Sequence, residues 1–293
     1  MNKYKFKVEG GIGDILLAYS SIRKFIELYG KDNLTCILAS HFKHAEDLIK
    51  PFDIETSFYY YKANDELIDL HNNVFRQLNN DPDYIGDSSI FEKDFYPEID
   101  IPIKYIKEAE QIVLNKHDML NTSFNIIGIH PFGSKFSNNF LTNVRKVPPK
   151  DIPLETLIPI IKTLASKLDN TIVFVIFGSF EERNYFNALE YNLKNINLIP
   201  VFDYNIWTSF ALIDRYCQLI LAADSAIKSF SLIKQVPTVV TVGDYQDQPR
   251  DENFIKPYEN NNKFKFIRFQ NKIIESQQEE IVNFLLENMI NAQ

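Results

Sequence analysis

Short apolar runs and longer amphipathic stretches alternate along the whole chain of 293 residues. The short runs are rich in β-branched and aromatic residues, which is typical of strands, and the longer ones repeat apolar residues with a helical period. The pattern predicts strands over residues 4–8, 34–39, 54–61, 125–129, 171–177, 196–199, 218–222, 237–242 and 264–268. It predicts helices over residues 14–29, 41–50, 64–78, 102–116, 154–168, 180–193, 205–216, 225–234 and 275–291.

This alternation indicates βαβ units, in which helices cover both faces of a parallel sheet. The pattern occurs twice and is interrupted by a polar, acidic, turn-rich segment at 79–102, which we interpret as a long loop. We therefore predict an α/β protein of two Rossmann-like domains, residues 1–120 and 121–274, with a cleft at the carboxyl ends of both sheets. The last helix, within 275–293, is expected to pack back on the first domain.

Charge is distributed unevenly along a chain whose net charge is −8 and whose pI is about 5.3. Residues 46–100 contain 14 acidic and 4 basic side chains, which disfavours a nucleic-acid partner for the first half of the chain. Residues 119–150 contain no acid at all but several cations. Such a window is a candidate phosphate site, although a chance gap on a solvated face would look the same.

Several features argue against a metal, a disulfide framework or a membrane span. Cys36 and Cys217 are far apart, lie in or beside apolar runs and are expected to be buried free thiols. His41 and His44 share a predicted helix face without a third ligand, so we expect no metal. No run is long enough to cross a bilayer, and we expect a cytoplasmic protein, with peripheral membrane contact left open.

The most informative stretch is FKVEGGIGDILLAYSSIRKF, residues 6–25, which holds three of the nine glycines. Glycines between a strand and a helix let the backbone approach a ligand closely, and Gly11 and Gly13 are therefore candidate donor-binding residues. The third glycine of a dinucleotide fingerprint is replaced by Leu16, so no nicotinamide or flavin cofactor is expected. Asp14 either caps the helix or accepts a proton from an incoming hydroxyl.

A second candidate site follows the strand at 125–129. This strand leads into His130, which we interpret as structural and bonded to the backbone, and then into the acid-free window. Basic side chains and hydroxyls in this window are suited to gripping a diphosphate. The candidate donor-binding residues here are Ser134, Lys135, Arg145 and Lys146.

Two further strand ends carry candidate donor-binding residues. Gly178 ends one strand and is expected to admit a ligand or a neighbouring loop. Asp224 and Ser225 follow another strand, where they either cap the next helix or hold sugar hydroxyls beside a phosphate.

Two other features are read as ordinary structure. Trp207 is expected in the core, and Asp81-Pro82-Asp83 is expected to be a turn rather than a metal motif.

Taken together, these stretches resemble glycosyltransferase family 9, the heptosyltransferase-like family with the GT-B fold. The family's G-G-x-G-D compares with residues 10–14, its H-P-G-A-S with 130–134, its K-x-W-P with 145–148 and its D-S-G-P-x-H with 224–229. The chain differs from these motifs at Phe132, Val147, Ala226 and Ser229. The resemblance extends over most of the chain and is weakest over 63–120.

The resemblance implies a metal-independent, inverting glycosyltransferase that uses a nucleotide-diphosphate sugar and an acceptor hydroxyl of a saccharide or glycolipid. It implies that Asp14 is the general base and that Ala226 lies at the donor site, where Lys228 supplies a positive charge in place of the missing histidine. Two alternatives remain open. One is a sugar-nucleotide epimerase or hydrolase, and the other is a decayed enzyme that only binds a sugar nucleotide.

Overall fold

A computed structural model describes residues 3–62, 64–92, 94–120, 123–133, 151–168, 172–243, 252–269 and 272–291. The described residues form two compact units, one ending at Asp100 and the other beginning at Ile101. The predicted domain boundary at 120 therefore falls at the far end of the helix that opens the second unit.

The first unit is a parallel sheet with helical connections. Its described elements are β1 (Tyr4–Glu9), α1 (Ile12–Leu17), α2 (Tyr19–Tyr29), β2 (Leu34–Ser40), α3 (Glu46–Ile49), β3 (Glu55–Tyr60), α4 (Asn64–Leu70), a π-helical segment (His71–Phe75), α5 (Arg76–Leu78) and β4 (Tyr84–Asp87). The strands lie in the order β3-β2-β1-β4, and all their pairings are parallel.

The second unit contains a wider parallel sheet. Its described elements are α6 (Ile103–Leu120), β5 (Asn125–His130), α7 (Leu154–Lys167), β6 (Ile172–Gly178), α8 (Arg183–Asn192), β7 (Asn197–Phe202), α9 (Ile206–Arg215), β8 (Cys217–Ala223), α10 (Ala226–Ile233), β9 (Thr238–Gly243), α11 (Glu252–Glu259), β10 (Phe264–Phe269) and α12 (Glu275–Asn291). The strand order is β10-β9-β8-β5-β6-β7, again parallel throughout.

Both sheets reverse their strand order beside their first strand. In the first unit β1 lies between β2 and β4, and in the second β5 lies between β6 and β8. This is the doubly wound Rossmann arrangement, in which ligands bind outside the carboxyl ends of the strands at the point of reversal. The fold therefore directs attention to the residues that follow β1, β5 and β8.

Strands β2 and β6 read as nearly continuous apolar runs, as expected where helices cover both faces of a sheet. All seven residues of β2 are buried, and so are the first six of β6. Trp207 is 1% exposed and packs edge-on against Phe210, as a core residue should. Cys36 and Cys217 are buried free thiols, as expected, and burial raises the pKa of both well above its usual range.

All nine predicted strands are present within three residues of their expected ends, while one strand and one α-helix of the described residues escaped prediction. Strand β4 lies in the segment that we interpreted as a loop, where Tyr84–Asp87 pairs with β1. Helix α11 was also missed. The predicted helix over 41–50 begins only at Glu46, because residues 41–45 form a bend and a turn.

The last helix, α12, belongs to the second unit rather than to the first, where we expected it. It packs on α7 and on the strands β8, β9 and β10. Its apolar face joins the hydrophobic core of this unit through Ile281, Val282, Leu285 and Met289. This burial fixes the position of α12, which is one of the helices that pack on the sheet of the second unit.

Candidate functional site

The loop after β1 is shaped by one glycine with a left-handed backbone. Gly10 has φ +129°, a conformation that side chains rarely adopt. A Cβ atom on Gly10 would lie 2.4 Å from Oδ2 of Asp14, so any side chain would collide with that carboxylate. The glycine thus allows the loop to turn and leaves room for the carboxylate to fold back over it.

Asp14 is the third residue of α1, since the helix begins at Ile12 rather than at residue 14 as predicted. Its Oδ2 accepts a hydrogen bond of 2.8 Å from the backbone N–H of Gly11. The side chain therefore satisfies an amide that the start of the helix leaves open, which is a capping-box contact. The residue is nevertheless half-buried rather than enclosed, so the carboxylate remains at the rim of the sheet.

The loop after β2 is joined to this glycine loop by Ser40, which is fully buried. The Ser40 hydroxyl donates to the carbonyl of Gly10 at 2.7 Å and accepts from the N–H of Phe42 at 3.1 Å. The N–H of Gly10 in turn donates to the carbonyl of Ala39 at 3.1 Å. These hydrogen bonds fix the loop after β1 and the loop after β2 relative to each other.

His41 follows Ser40, and its imidazole lies against Gly11. A Cβ atom built on Gly11 would lie 3.0 Å from Cε1 of His41, 3.4 Å from its Nε2 and 3.7 Å from Oδ2 of Asp14. The ring also meets Tyr61 edge-on, with a centroid separation of 6.0 Å. Sequence reasoning placed His41 on a helix face with His44, whereas the structure places it beside the candidate base.

Charged side chains surround the same strand end. Glu9 pairs with Lys7 at 3.0 Å and with Nε2 of His71 at 3.1 Å. Burial raises the pKa of Tyr61 well above its usual range, and the charges of Glu9 and Asp14 raise it further. Tyr61 therefore stays protonated, with its hydroxyl in the field of two carboxylates.

In the second unit, a partly buried histidine and a serine connect two strand ends at the point of reversal. Nδ1 of His130, at the end of β5, lies 2.9 Å from the hydroxyl of Ser225, which follows β8. Burial lowers the pKa of His130 to about 3, so its ring is neutral around neutral pH. His130 is thus structural as expected, but its partner is the Ser225 hydroxyl rather than a backbone group.

Asp224, Ser225 and Lys228 form a compact cap on α10. The Ser225 hydroxyl accepts from the N–H of Lys228 at 3.5 Å, and Ala226 is the first residue of the helix. Nζ of Lys228 pairs with Oδ1 of Asp224 at 3.0 Å, although Lys228 is only 6% exposed. The positive charge expected from Lys228 is therefore balanced within its own helix start.

Gly178, which we expected to admit a ligand or a loop, is explained by packing in its own sheet. A Cβ atom on Gly178 would lie 2.2 Å from Cε1 of Phe202, the residue paired with it on β7. Phe202 is itself buried against Phe186. The neighbour that the glycine admits is thus an aromatic side chain of the core.

The expected diphosphate-binding residues Ser134, Lys135, Arg145 and Lys146 lie outside the described residues. The residues that flank them in the described part of the chain are held close together. The N–H of Gly133 donates to Oδ1 of Asp151 at 2.7 Å, and the N–H of Ile152 donates to the carbonyl of Pro131 at 2.7 Å. Gly133 and Asp151, on either side of those residues, therefore lie together beyond the carboxyl end of β5.

The sequence Asp81-Pro82-Asp83 forms the turn that was expected. The N–H of Asp83 donates to the Asp81 carboxylate at 2.9 Å, and the N–H of Tyr84 donates to the Asp81 carbonyl at 3.0 Å. Lys5 pairs with the same carboxylate at 2.6 Å. The two acids thus lead into β4.

Solved structures similar to this one include a glycosyl transferase of family 9 from Veillonella parvula, with 14% identity, a TM-score of 0.60, and coverage of 99% of this chain and 98% of that one. The E. coli ADP-heptose lipopolysaccharide heptosyltransferase II has 13% identity, a TM-score of 0.63 and 99% coverage of both chains. A proposed UDP-N-acetylglucosamine 2-epimerase from Listeria monocytogenes has 10% identity, a TM-score of 0.56, and coverage of 100% and 89%. No family model and no curated protein sequence matches the chain.

These similarities extend over nearly the whole of each chain and show the fold. The protein has two Rossmann-like units of the GT-B type, and the predicted fold class is confirmed. At this level of identity the likeness concerns the backbone and not the chemistry of the site. Among the described helices, none is both long and apolar enough to cross a membrane.

Proposed function

We propose that this protein is a glycosyltransferase that moves a sugar from a nucleotide-diphosphate donor to an acceptor hydroxyl. The observation that carries the proposal is the half-buried carboxylate of Asp14. It is anchored by the Gly11 amide at the carboxyl end of β1, where a Rossmann sheet presents its ligand. The whole-length likeness to a family 9 glycosyl transferase supports the same reaction class.

Asp14 acts as the general base in this proposal. The acceptor oxygen attacks the anomeric carbon while the bond from that carbon to the diphosphate breaks, which gives inversion. The proton of the hydroxyl passes to Asp14, and the nucleoside diphosphate leaves with the electron pair of the broken bond. A carboxylate suits this role when proton transfer is late, because the attacking oxygen has then become acidic.

The second unit holds the donor in this proposal. Ser225, Ala226 and the first amides of α10 present hydrogen-bond donors at the end of β8, where a leaving phosphate would be stabilised. Lys135, Arg145 and Lys146, with Ser134, add the cations and the hydroxyl that the diphosphate requires. Asp224 is assigned to sugar hydroxyls, and no metal or cofactor is part of the scheme.

The acceptor is proposed to be a saccharide or a glycolipid. The E. coli neighbour is an ADP-heptose lipopolysaccharide heptosyltransferase, which suggests a glycan-type acceptor and a nucleotide-sugar donor for this chain. The excess of acid over residues 46–100 argues against a nucleic acid in the acceptor position, because a polyanion would be repelled.

A thermal-shift panel of ADP-, UDP-, GDP- and CDP-linked sugars tests the donor part of the proposal. A specific donor should raise the melting temperature, since ligand that binds only the folded state stabilises it. The donor that gives the largest shift is then incubated with lipopolysaccharide and saccharide acceptors, and transfer is followed by mass spectrometry. Donor binding without transfer to any acceptor would support a binding protein instead, and no shift with any donor would contradict the proposal.

The second candidate function is sugar-nucleotide epimerisation or hydrolysis. It is favoured by the likeness to a proposed UDP-N-acetylglucosamine 2-epimerase, which has a TM-score of 0.56. Incubation with each nucleotide sugar in the absence of an acceptor separates the two. Formation of a new nucleotide sugar would favour an epimerase. Release of free sugar at a rate equal to that of transfer in a parallel reaction with acceptor would favour a hydrolase.

A further inference from the structure

The space above Gly11 lies between an imidazole and a carboxylate, and it exists because residue 11 has no side chain. We propose that this space holds the acceptor hydroxyl and that His41 is a second catalytic residue, donating a hydrogen bond from Nε2 to the oxygen whose proton passes to Asp14. The inference rests on the proposed function and adds a residue to its site.

The geometry of the Gly11 position carries this inference. The point where a Cβ would sit is 3.4 Å from Nε2 of His41 and 3.7 Å from Oδ2 of Asp14. Nε2 and Oδ2 therefore both border the side-chain face of Gly11, and a hydroxyl seated on that face would lie beside both groups. Gly11, Asp14 and His41 are all partly exposed, so a ligand can enter from solvent.

The orientation of His41 is set by its surroundings. Nδ1 of the ring is buried, and Tyr61 packs edge-on against the ring. Ser40 holds the loop on which His41 stands, through its bonds to Gly10 and Phe42. The Cε1–Nε2 edge is consequently the part of the imidazole that faces Gly11.

Two contacts on one hydroxyl have a chemical consequence. The oxygen has two lone pairs and one proton. If one lone pair accepts from His41 and the proton points at Asp14, the remaining lone pair is free to attack the anomeric carbon. His41 therefore orients the nucleophile, and orientation of this kind contributes large factors to the rate of group transfer.

The first test places a methyl group on the side-chain face of Gly11 and keeps both His41 and Asp14 in the chain. Gly11 has φ −80° and ψ −176°, an ordinary extended conformation, so Gly11→Ala strains no backbone angle. The methyl group would lie 3.0 Å from Cε1 of His41, so the ring must shift by a few tenths of an ångström. With the best donor of the panel and water as the acceptor, release of nucleoside diphosphate should fall by about 100-fold or more. Wild-type turnover in Gly11→Ala would overturn the inference.

The second test compares two amides in place of His41. The amide nitrogen of glutamine reaches as far as Nε2, whereas that of asparagine reaches only as far as Nδ1. His41→Gln should retain activity within about 10-fold, and His41→Asn should lose about 100-fold or more. His44→Gln, in the same loop at an exposed position, is the matched control and should behave as the parent. Equal activities in the Gln and Asn variants would overturn the role of Nε2.

A crystal structure of the free protein tests the inference without any turnover. An ordered water should lie over Gly11 within about 3 Å of both Nε2 of His41 and Oδ2 of Asp14, and it should be absent from Gly11→Ala. If the crystal structure shows no ordered water over Gly11, or shows another side chain covering it, the inference is overturned whatever the activity of the variants. If Asp14→Asn abolishes turnover while His41→Asn does not, the proposed function stands and only the role of His41 fails.

Discussion

At the point of reversal in the first sheet, Asp14 stands half-buried beside a bare glycine, whereas at the same point in the second sheet His130 is neutral and Lys228 is paired with Asp224. The two units share a strand order but differ in how charge is presented. In the first, a carboxylate is displayed at the strand end. In the second, the charges near the cap of α10 balance each other.

This contrast suggests a division of labour. A base must exchange a proton with a ligand, so its carboxylate has to remain within reach. A balanced cap exerts little net field, so we expect a diphosphate to be attracted mainly by the amides of α10 and by the cations Lys135, Arg145 and Lys146. We therefore expect substitutions at the first strand end to change the rate of transfer, and substitution of the Asp224–Lys228 pair to change stability.

Of the substitutions that compare the two units, Gly10→Ala in the first unit is expected to have the largest effect. The new Cβ would collide with Oδ2 of Asp14 and would impose a left-handed conformation on alanine, at a cost of about 1–3 kcal/mol in stability. Because the carboxylate must move, transfer should fall by about 100-fold. Gly30→Ala is the matched control, since Gly30 also has a positive φ, +77°, but a Cβ there would meet only Nδ2 of Asn33, at an ordinary contact distance of 3.5 Å. It should lose stability and keep its activity per folded molecule.

A smaller effect, on stability, is expected from Lys228→Met in the second unit. Removing the ammonium leaves Asp224 without that charge partner, and we expect a loss of about 2 kcal/mol, since the carboxylate is 29% exposed. Chemical denaturation measures this loss, and the double variant Lys228→Met/Asp224→Asn should recover part of it. If stability stays the same while donor affinity drops, Lys228 binds the donor and the contrast between the units is wrong.

The smallest effect concerns the pH dependence of stability. The pKa of His130 is lowered from 6.5 to about 3 in the folded protein, so below about pH 6.5 the unfolded chain binds a proton that the folded chain does not. Stability contributed by the neutral ring is complete above pH 6.5 and is lost progressively down to about pH 3. Between about pH 7.5 and pH 5.5 this loss should be about 1.4 kcal/mol.

His130→Asn isolates that contribution because asparagine does not titrate and still offers a polar group to Ser225. Unfolding free energies of the parent and the variant are compared at both pH values, with the other four histidines common to both. The parent should lose about 1.4 kcal/mol more than the variant. Parallel pH profiles would show that His130 is not buried as a neutral ring.

The fold was largely predictable because buried parallel strands read as continuous apolar runs. Strand β4 was not predicted because it has only four residues and lies in an acidic segment without an apolar run. Its pairing with β1 is made by backbone groups, which leave no pattern in the sequence. The position of α12 was also mispredicted, since an amphipathic pattern does not specify which sheet the helix covers.

The candidate site was only partly predictable. Asp14 was recognisable because glycines are rare in this chain and cluster before it. His41 was overlooked because residues 41–50 have a helical pattern, although its place directly after a parallel strand was a usable signal. Gly178 was read as a ligand contact, because the sequence does not reveal that Phe202 of the neighbouring strand needs the space.

The most direct test of the account is the Asp14→Asn variant. Asparagine preserves the size of the side chain and an oxygen that can accept from the Gly11 N–H, but it cannot take up a proton at the rate-determining step. We predict that transfer falls by about 10²–10⁴-fold while donor affinity, measured by calorimetry, is unchanged. Transfer at the parental rate in this variant would contradict the assignment of Asp14 as the base.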